Sequence, residues 1–225
     1  MMIYKKGSTG YIVKQIQKAL AGAGLKVIPD GIYGTITEEA VRDFQMANSL
    51  TADGIVGPTT LALLIPERLK KSKRIINEII VHCTATPEGK DYTVEDIRKM
   101  HRQQGWSDIG YHYLIGRHGE RWVGRDVDII GAHCSGHNAH SIGVCYVGGM
   151  SRMFDKDKDT RTLAQKATLI QLLTELKQLY PKAVILGHRD TSPDLNGNGI
   201  VEPAEWVKKC PCFDAKTEYK YIGLV

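Results

Sequence analysis

Two periodicities divide the chain. Through the first 64 residues, apolar positions recur at helical spacing: Val13, Ile16, Leu20 and Leu25 in "YIVKQIQKALAGAGL", then Ala40, Val41, Phe44, Ala47 and Leu50 in "EEAVRDFQMANSL". Spacing of this kind gives a helix one apolar face. Around the second stripe, "DGIYGTIT" (30–37) and "DGIVGPTT" (53–60) repeat one pattern, DGIxGxxT, at an offset of 23 residues. Asp-Gly supplies a turn with positive φ, and the late Thr is expected to cap the helix that follows. The pattern predicts a three-helix unit from about Lys5 to Leu64.

After the polar stretch "IPERLKKSKR" the period changes. "RIINEIIVHCT" reads as a buried strand ending at His82. "DYTVEDIRKMHRQQGW" predicts a helix capped by Thr93, with Ile97, Met100 and His101 on one face. "GYHYLIGRHGERWVGR" reads as a hairpin turning at His118 and Gly119, and "SIGVCYVGG" as another buried strand. "TLAQKATLIQLLTELKQLY" is a long amphipathic helix stopped by Pro181, and "AVILGH" is a further strand. Strands alternating with helices predict an α/β sheet domain. The expected division is residues 1–66 for the helical unit, 67–74 for a linker and 75–225 for the α/β domain.

Composition narrows the class. In 225 residues, 42% hydrophobic and 24% charged is a globular balance, and the net charge of +5 suits an anionic polymer. The longest basic run, "RLKKSKR", is too short to select nucleic acid and reads as a solvated linker. No apolar run has signal-peptide length and none approaches 18 residues, so synthesis in the cytoplasm without membrane insertion is expected. Five cysteines, an odd number, argue for reduced thiols rather than a disulfide framework.

Eight histidines are present and none forms HExxH. His82 and His188 stand at predicted strand ends, where open α/β sheets place their sites, and Cys210 lies in the loop "KKCPCFD". Two imidazoles and a thiolate would leave a tetrahedral Zn²⁺ one open position, a catalytic arrangement; spacing alone favours ordinary core histidines. Cys83 alternates to the face opposite His82 and reads as buried sulfur, as does Cys145. His101 and His112 read as structural. "DLNGNGIVEPAE" fits an EF-hand-type loop, with Asp194, Asn196, Asn198, the Ile200 carbonyl and Glu205 as candidate Ca²⁺ donors; a glycine-rich turn leading to Cys210 is the alternative.

The first 64 residues, with V-x-x-x-Q-x-x-L, two DGIxGxxT copies and AVRDFQ, resemble the peptidoglycan-binding domain 1 family. "IIVHCTAT", "GWSDIGYHYLIGRHG", "SIGVCYVGG", "LGHRD" and "KKCPCFD" appear in order over about Ile75 to Asp214. They resemble the amidase 2 family of N-acetylmuramoyl-L-alanine amidases and peptidoglycan recognition proteins, which implies a mixed central sheet flanked by helices. The resemblance implies zinc at His82, His188 and Cys210, with Tyr111 and Lys208 assisting catalysis; Lys209 is the alternative one residue along. His133 matches a position near the groove, as a substrate contact or a surface residue, and Cys212 a position that takes serine. The implied activity is zinc-dependent cleavage of the amide between N-acetylmuramic acid and L-alanine. The implied setting is a monomeric phage or prophage endolysin that reaches the wall through a phage-encoded pore. A non-catalytic peptidoglycan receptor and a cell-wall peptidase are the alternatives.

Overall fold

The structure is a computed structural model and describes residues 3–65 and 69–223. The chain separates into two compact units, Met1–Arg68 and Leu69–Val225. The expected domain boundary at Pro66 and the first two expected linker residues, 67 and 68, lie outside the described residues.

Helices α1 (Tyr11–Gly22), α2 (Thr35–Ala47) and α3 (Pro58–Leu64) build the first unit around Val13, Ile16, Leu20, Tyr33, Val41 and Val56. Its repeat is held from inside by two buried glutamines. Gln17 Oε1 accepts from Gly31 N (2.7 Å), while its Nε2 donates to Asp30 Oδ1, Ile32 O and Thr37 Oγ1 (2.8, 2.9 and 3.0 Å). Gln45 does the same for the second copy: Oε1 accepts from Gly54 N, and Nε2 donates to Asp53 Oδ1, Ile55 O and Thr60 Oγ1. Each Asp-Gly turn, with φ of 84° at Gly31 and 69° at Gly54, thus receives a complete set of polar partners. The threonines expected as caps are instead the acceptors for these amides; the N-cap residues are Gly34 and Gly57.

In the second unit, β1 (Glu78–Cys83), β3 (Tyr113–Ile115), β4 (Arg121–Val123), β5 (Ser141–Tyr146) and β7 (Val184–Gly187) form a mixed sheet in the order β4-β3-β5-β1-β7. β3, β5, β1 and β7 run parallel, and β4 closes the hairpin with β3 antiparallel. A two-residue pair, β2 (Thr86–Pro87) with β6 (Gly149–Met150), extends beyond the ends of β1 and β5. Helix α4 (Val94–Gln103) starts at the predicted cap, where Thr93 and Asp96 form a reciprocal capping box. Ile97 and His101 are buried, whereas Met100, expected on the same face, is exposed.

Helix α5 (Leu163–Leu179) covers the opposite face with Leu169, Leu172, Leu173 and Leu176, all fully buried, each stabilising by about 2 kcal/mol. The short α6 (Ala215–Glu218) follows the cysteine loop. Leu69 packs on the core of this unit, and Ser72 is buried, its amide donating to Tyr180 Oη and its hydroxyl to Val127 O.

Candidate active site

Parallel pairing sets Val81 of β1 opposite Gly187 of β7, so His82 and His188 follow side by side at the carboxyl ends of neighbouring strands. Their rings meet edge to face with centroids 4.7 Å apart. Cys210 comes from the C-terminal loop: its Sγ lies 3.8 Å from His82 Nδ1 and accepts from Cys83 N at 3.3 Å. One donor atom from each of His82, His188 and Cys210 lies within 4.8 Å of the other two, the one such His, Cys or carboxylate grouping among the described residues.

Several contacts hold the loop that presents Cys210. Arg189 N donates to Cys210 O (2.8 Å) and Tyr146 Oη to Pro211 O (2.7 Å). The Phe213 ring lies 3.2 Å beneath the Arg161 guanidinium, which is paired with both Asp159 and Glu218. A buried charge paired on two sides in this way carries no uncompensated desolvation.

His82 is 1% exposed. Its second ring nitrogen, Nε2, lies 3.0 Å from His133 Nδ1, and His133 Nε2 lies 3.3 Å from Ser141 Oγ. Two glycines make room for the His133 ring: a Cβ on Gly131 or on Gly143 would stand 2.5 Å from its Cδ2. Burial, followed by the neighbouring imidazoles, holds His82 and His133 well below the usual histidine range. Burial and then the Lys208 charge bring His188 to about 4. At neutral pH all three are uncharged, the state in which imidazole ligates a metal.

Tyr111 packs its ring against His82 at 5.2 Å and against His101 at 5.4 Å. Burial raises its phenol well above the usual range, so it remains a proton donor. Tyr111, His188, Lys208 and Cys210 line one cleft of about 460 Å³, and an adjoining cavity of about 500 Å³ shares His133, His188 and Lys208. Lys209 sits at the rim, 68% exposed and 3.8 Å from Asp157. It is the Lys208 charge that reaches both His82 and His188.

His101 Nδ1 accepts from Gly110 N, and His112 Nδ1 from Gly143 N. Cys83 belongs to the core on the α5 side and Cys145 to the core on the α4 side. In the 194–205 loop, Asp194 accepts from Gly197 N and Gly199 N, Asn196 from Asn198 N, and Asn198 from Ile200 N. Glu205 accepts from Leu195 N, Asn196 N and Glu202 N. These bonds order the loop that precedes Cys210.

Sequence reasoning missed the tie between His133 and His82, because a side-chain contact across 51 residues leaves no local pattern. It also missed Trp106, whose ring packs tilted against His101 at 4.5 Å and which lines both cavities. Two imidazole nitrogens and one sulfur so placed could hold a metal ion, and this is the kind of donor set that three-ligand zinc sites use. An outer hydrogen bond such as the one between His82 and His133 is the usual companion of a ligating histidine.

The family model described as N-acetylmuramoyl-L-alanine amidase matches residues 72–205, and one for a peptidoglycan binding domain matches residues 9–64. The chain is 41% identical over 149 residues to an endolysin of Klebsiella phage KP32, covering 66% of this chain and 89% of that protein. It is 39% identical over 157 residues to the endolysin of Escherichia phage T7, covering 69% and 93%. Among solved structures, the Ph2119 endolysin from a Thermus scotoductus bacteriophage superposes with a TM-score of 0.50 at 23% identity, over 70% of this chain and 91% of that one, a likeness of fold. With a model matching more than half of its length and endolysin relatives near 40% identity, the chain belongs to the N-acetylmuramoyl-L-alanine amidase family, joined to a peptidoglycan binding domain.

Proposed function

We propose that this protein hydrolyses the amide joining the lactyl group of N-acetylmuramic acid to L-alanine in bacterial peptidoglycan, using zinc held by His82, His188 and Cys210. The observation that carries the proposal is the meeting of these three donors, two of which, His188 and Cys210, line a cleft together with Tyr111 and Lys208. When bound, zinc supplies Lewis-acid activation of water and of the scissile carbonyl.

The protein's own groups do the rest. His82 offers Nδ1 to the metal because Nε2 faces His133. With its proton on Nε2, His82 donates to His133 Nδ1, and His133 Nε2–H donates to Ser141 Oγ, which fixes ring and tautomer. Tyr111 and Lys208 line the cleft and would donate to the oxyanion that develops on the carbonyl. The N-terminal unit holds the chain on its insoluble substrate and raises the local concentration of cleavable bonds. Acting as a monomer at the wall, the protein would serve as an endolysin.

A non-catalytic receptor on the same fold is the rival reading. The complete donor set, together with the neutral histidines and the protonated Tyr111, favours the enzyme. Cys210→Ser is expected to abolish zinc retention and hydrolysis while the protein still cosediments with purified peptidoglycan. A Cys210→Ser protein that clears peptidoglycan at the normal rate would sink the assignment.

A further inference from the structure

Behind the metal centre, on the face of β1 opposite His82, two thiols meet. Cys83 Sγ lies 3.7 Å from Cys212 Sγ, across 129 residues of chain. The backbone is arranged to bring them there. Cys212 adopts φ of 72°, the left-handed conformation that side chains other than Gly, Asn and Asp seldom take. It is held there by its amide, which donates to Lys209 O at 2.8 Å, and its thiol points at Gly149 O at 3.3 Å. Gly149 supplies the space, since a Cβ at that position would stand 2.4 Å from Cys83 Sγ. Neither thiol is used by the proposed chemistry.

We propose that Cys83 and Cys212 are a disulfide-forming pair, closed by a two-electron oxidant of the peroxide class. Side-chain rotation brings sulfurs already in contact to the bond length of about 2.05 Å. Cys212, the more accessible of the two, reacts first: its sulfur attacks the peroxide, giving a sulfenic acid and one water. Cys83 sulfur then attacks the sulfenic sulfur, the S–S bond forms, and the hydroxyl leaves with the Cys83 proton as a second water. Both thiols lose a proton, the pair loses two electrons, and the peroxide is reduced. Burial of Cys83 makes this a slow staple rather than a fast sensor.

The staple joins the residue after His82 to the loop that carries Cys210, so it ties two ligand-bearing segments together and leaves the Cys210 thiol free. The inference goes beyond the amidase reading, and its test reports on thiols, so failure of one is distinguishable from failure of the other. The purified full-length chain is treated with hydrogen peroxide, its remaining thiols are alkylated, and a non-reducing digest is mapped by mass spectrometry. The expected product is a peptide pair linked through Cys83 and Cys212, with Cys134, Cys145 and Cys210 alkylated and a Tm about 5–10 °C above that of the reduced chain. In Cys212→Ser, oxidation is expected to leave Tm unchanged. Retention of all five alkylatable thiols, a link through Cys210 or Cys134, or an oxidation-dependent Tm rise in Cys212→Ser would overturn it.

Discussion

His82 Nε2 and His133 Nδ1 lie 3.0 Å apart, and this contact decides which nitrogen of His82 is left to face Cys210. A strand-end histidine with both nitrogens free could turn either one toward a metal. Here one is committed, and the imidazole behind it is wedged between Gly131 and Gly143. The rigidity of the proposed centre therefore begins two residues behind its surface.

Gly143→Ala tests that support. The added Cβ would fall 2.5 to 2.8 Å from three atoms of the His133 ring, and the ring must move. The expected outcome is a 10- to 100-fold weaker zinc affinity, on the scale of lost outer hydrogen bonds, with the far-ultraviolet circular dichroism retained. Competition against a chromophoric chelator measures it, and an unchanged affinity would contradict the role given to His133.

Tyr111→Phe and Lys208→Ala should each lower kcat about 100-fold, or about 3 kcal/mol in the barrier, as for loss of an oxyanion donor. Lys209→Ala should stay within about twofold, since Lys209 is 68% exposed and paired only at the rim. Turnover of a soluble muramyl peptide separates the two lysines. Equal losses at 208 and 209 would contradict the assignment.

Acid should destabilise the metal-free protein before its carboxylates titrate. His82, His112, His133 and His188 all have folded pKa values below the usual 6.5, with His112 and His188 at about 4. As pH falls, the unfolded chain takes up these protons first, so stability is complete above about 6.5 and declines towards about 4. For His112 alone, fully buried, the difference amounts to about 3 kcal/mol. Urea unfolding at pH 7.5 and pH 5 checks this, and equal midpoints would contradict it.

In the N-terminal unit, Gln45→Leu should destabilise the fold by about 2–3 kcal/mol, because the buried Gly54 amide loses its acceptor and three further bonds go with it. Hydrogen exchange at the Gly54 amide is the direct probe. Protection that survives the substitution would show that the glutamine does not organise the turn.

The elements that were legible in the sequence are those whose signal is local. Thr93 announces the start of α4, the leucine stripe announces α5, and paired Asp-Gly turns announce the repeat. What was not legible depends on partners distant in the chain. Thr37 and Thr60 look like caps until Gln17 and Gln45 reach them from another helix. The polar run around Ser72 looks like a linker, yet Ser72 is buried by Tyr180 and Val127. The meeting of His82 with His188 follows from strand register, which spacing cannot encode. The family resemblance named the three proposed ligands; it did not reveal the His133–Ser141 support or the Cys83–Cys212 contact.

The central claim is the bond that is cut, and the most direct measurement is the identity of the ends released from purified peptidoglycan. Digestion by the zinc-loaded protein, followed by mass spectrometry, should yield free stem peptides beginning with L-alanine and glycan strands whose muramic acids carry a free lactyl carboxylate. Chelation should stop their release. New reducing sugar ends, or stem peptides cut internally while still attached to glycan, would contradict the account.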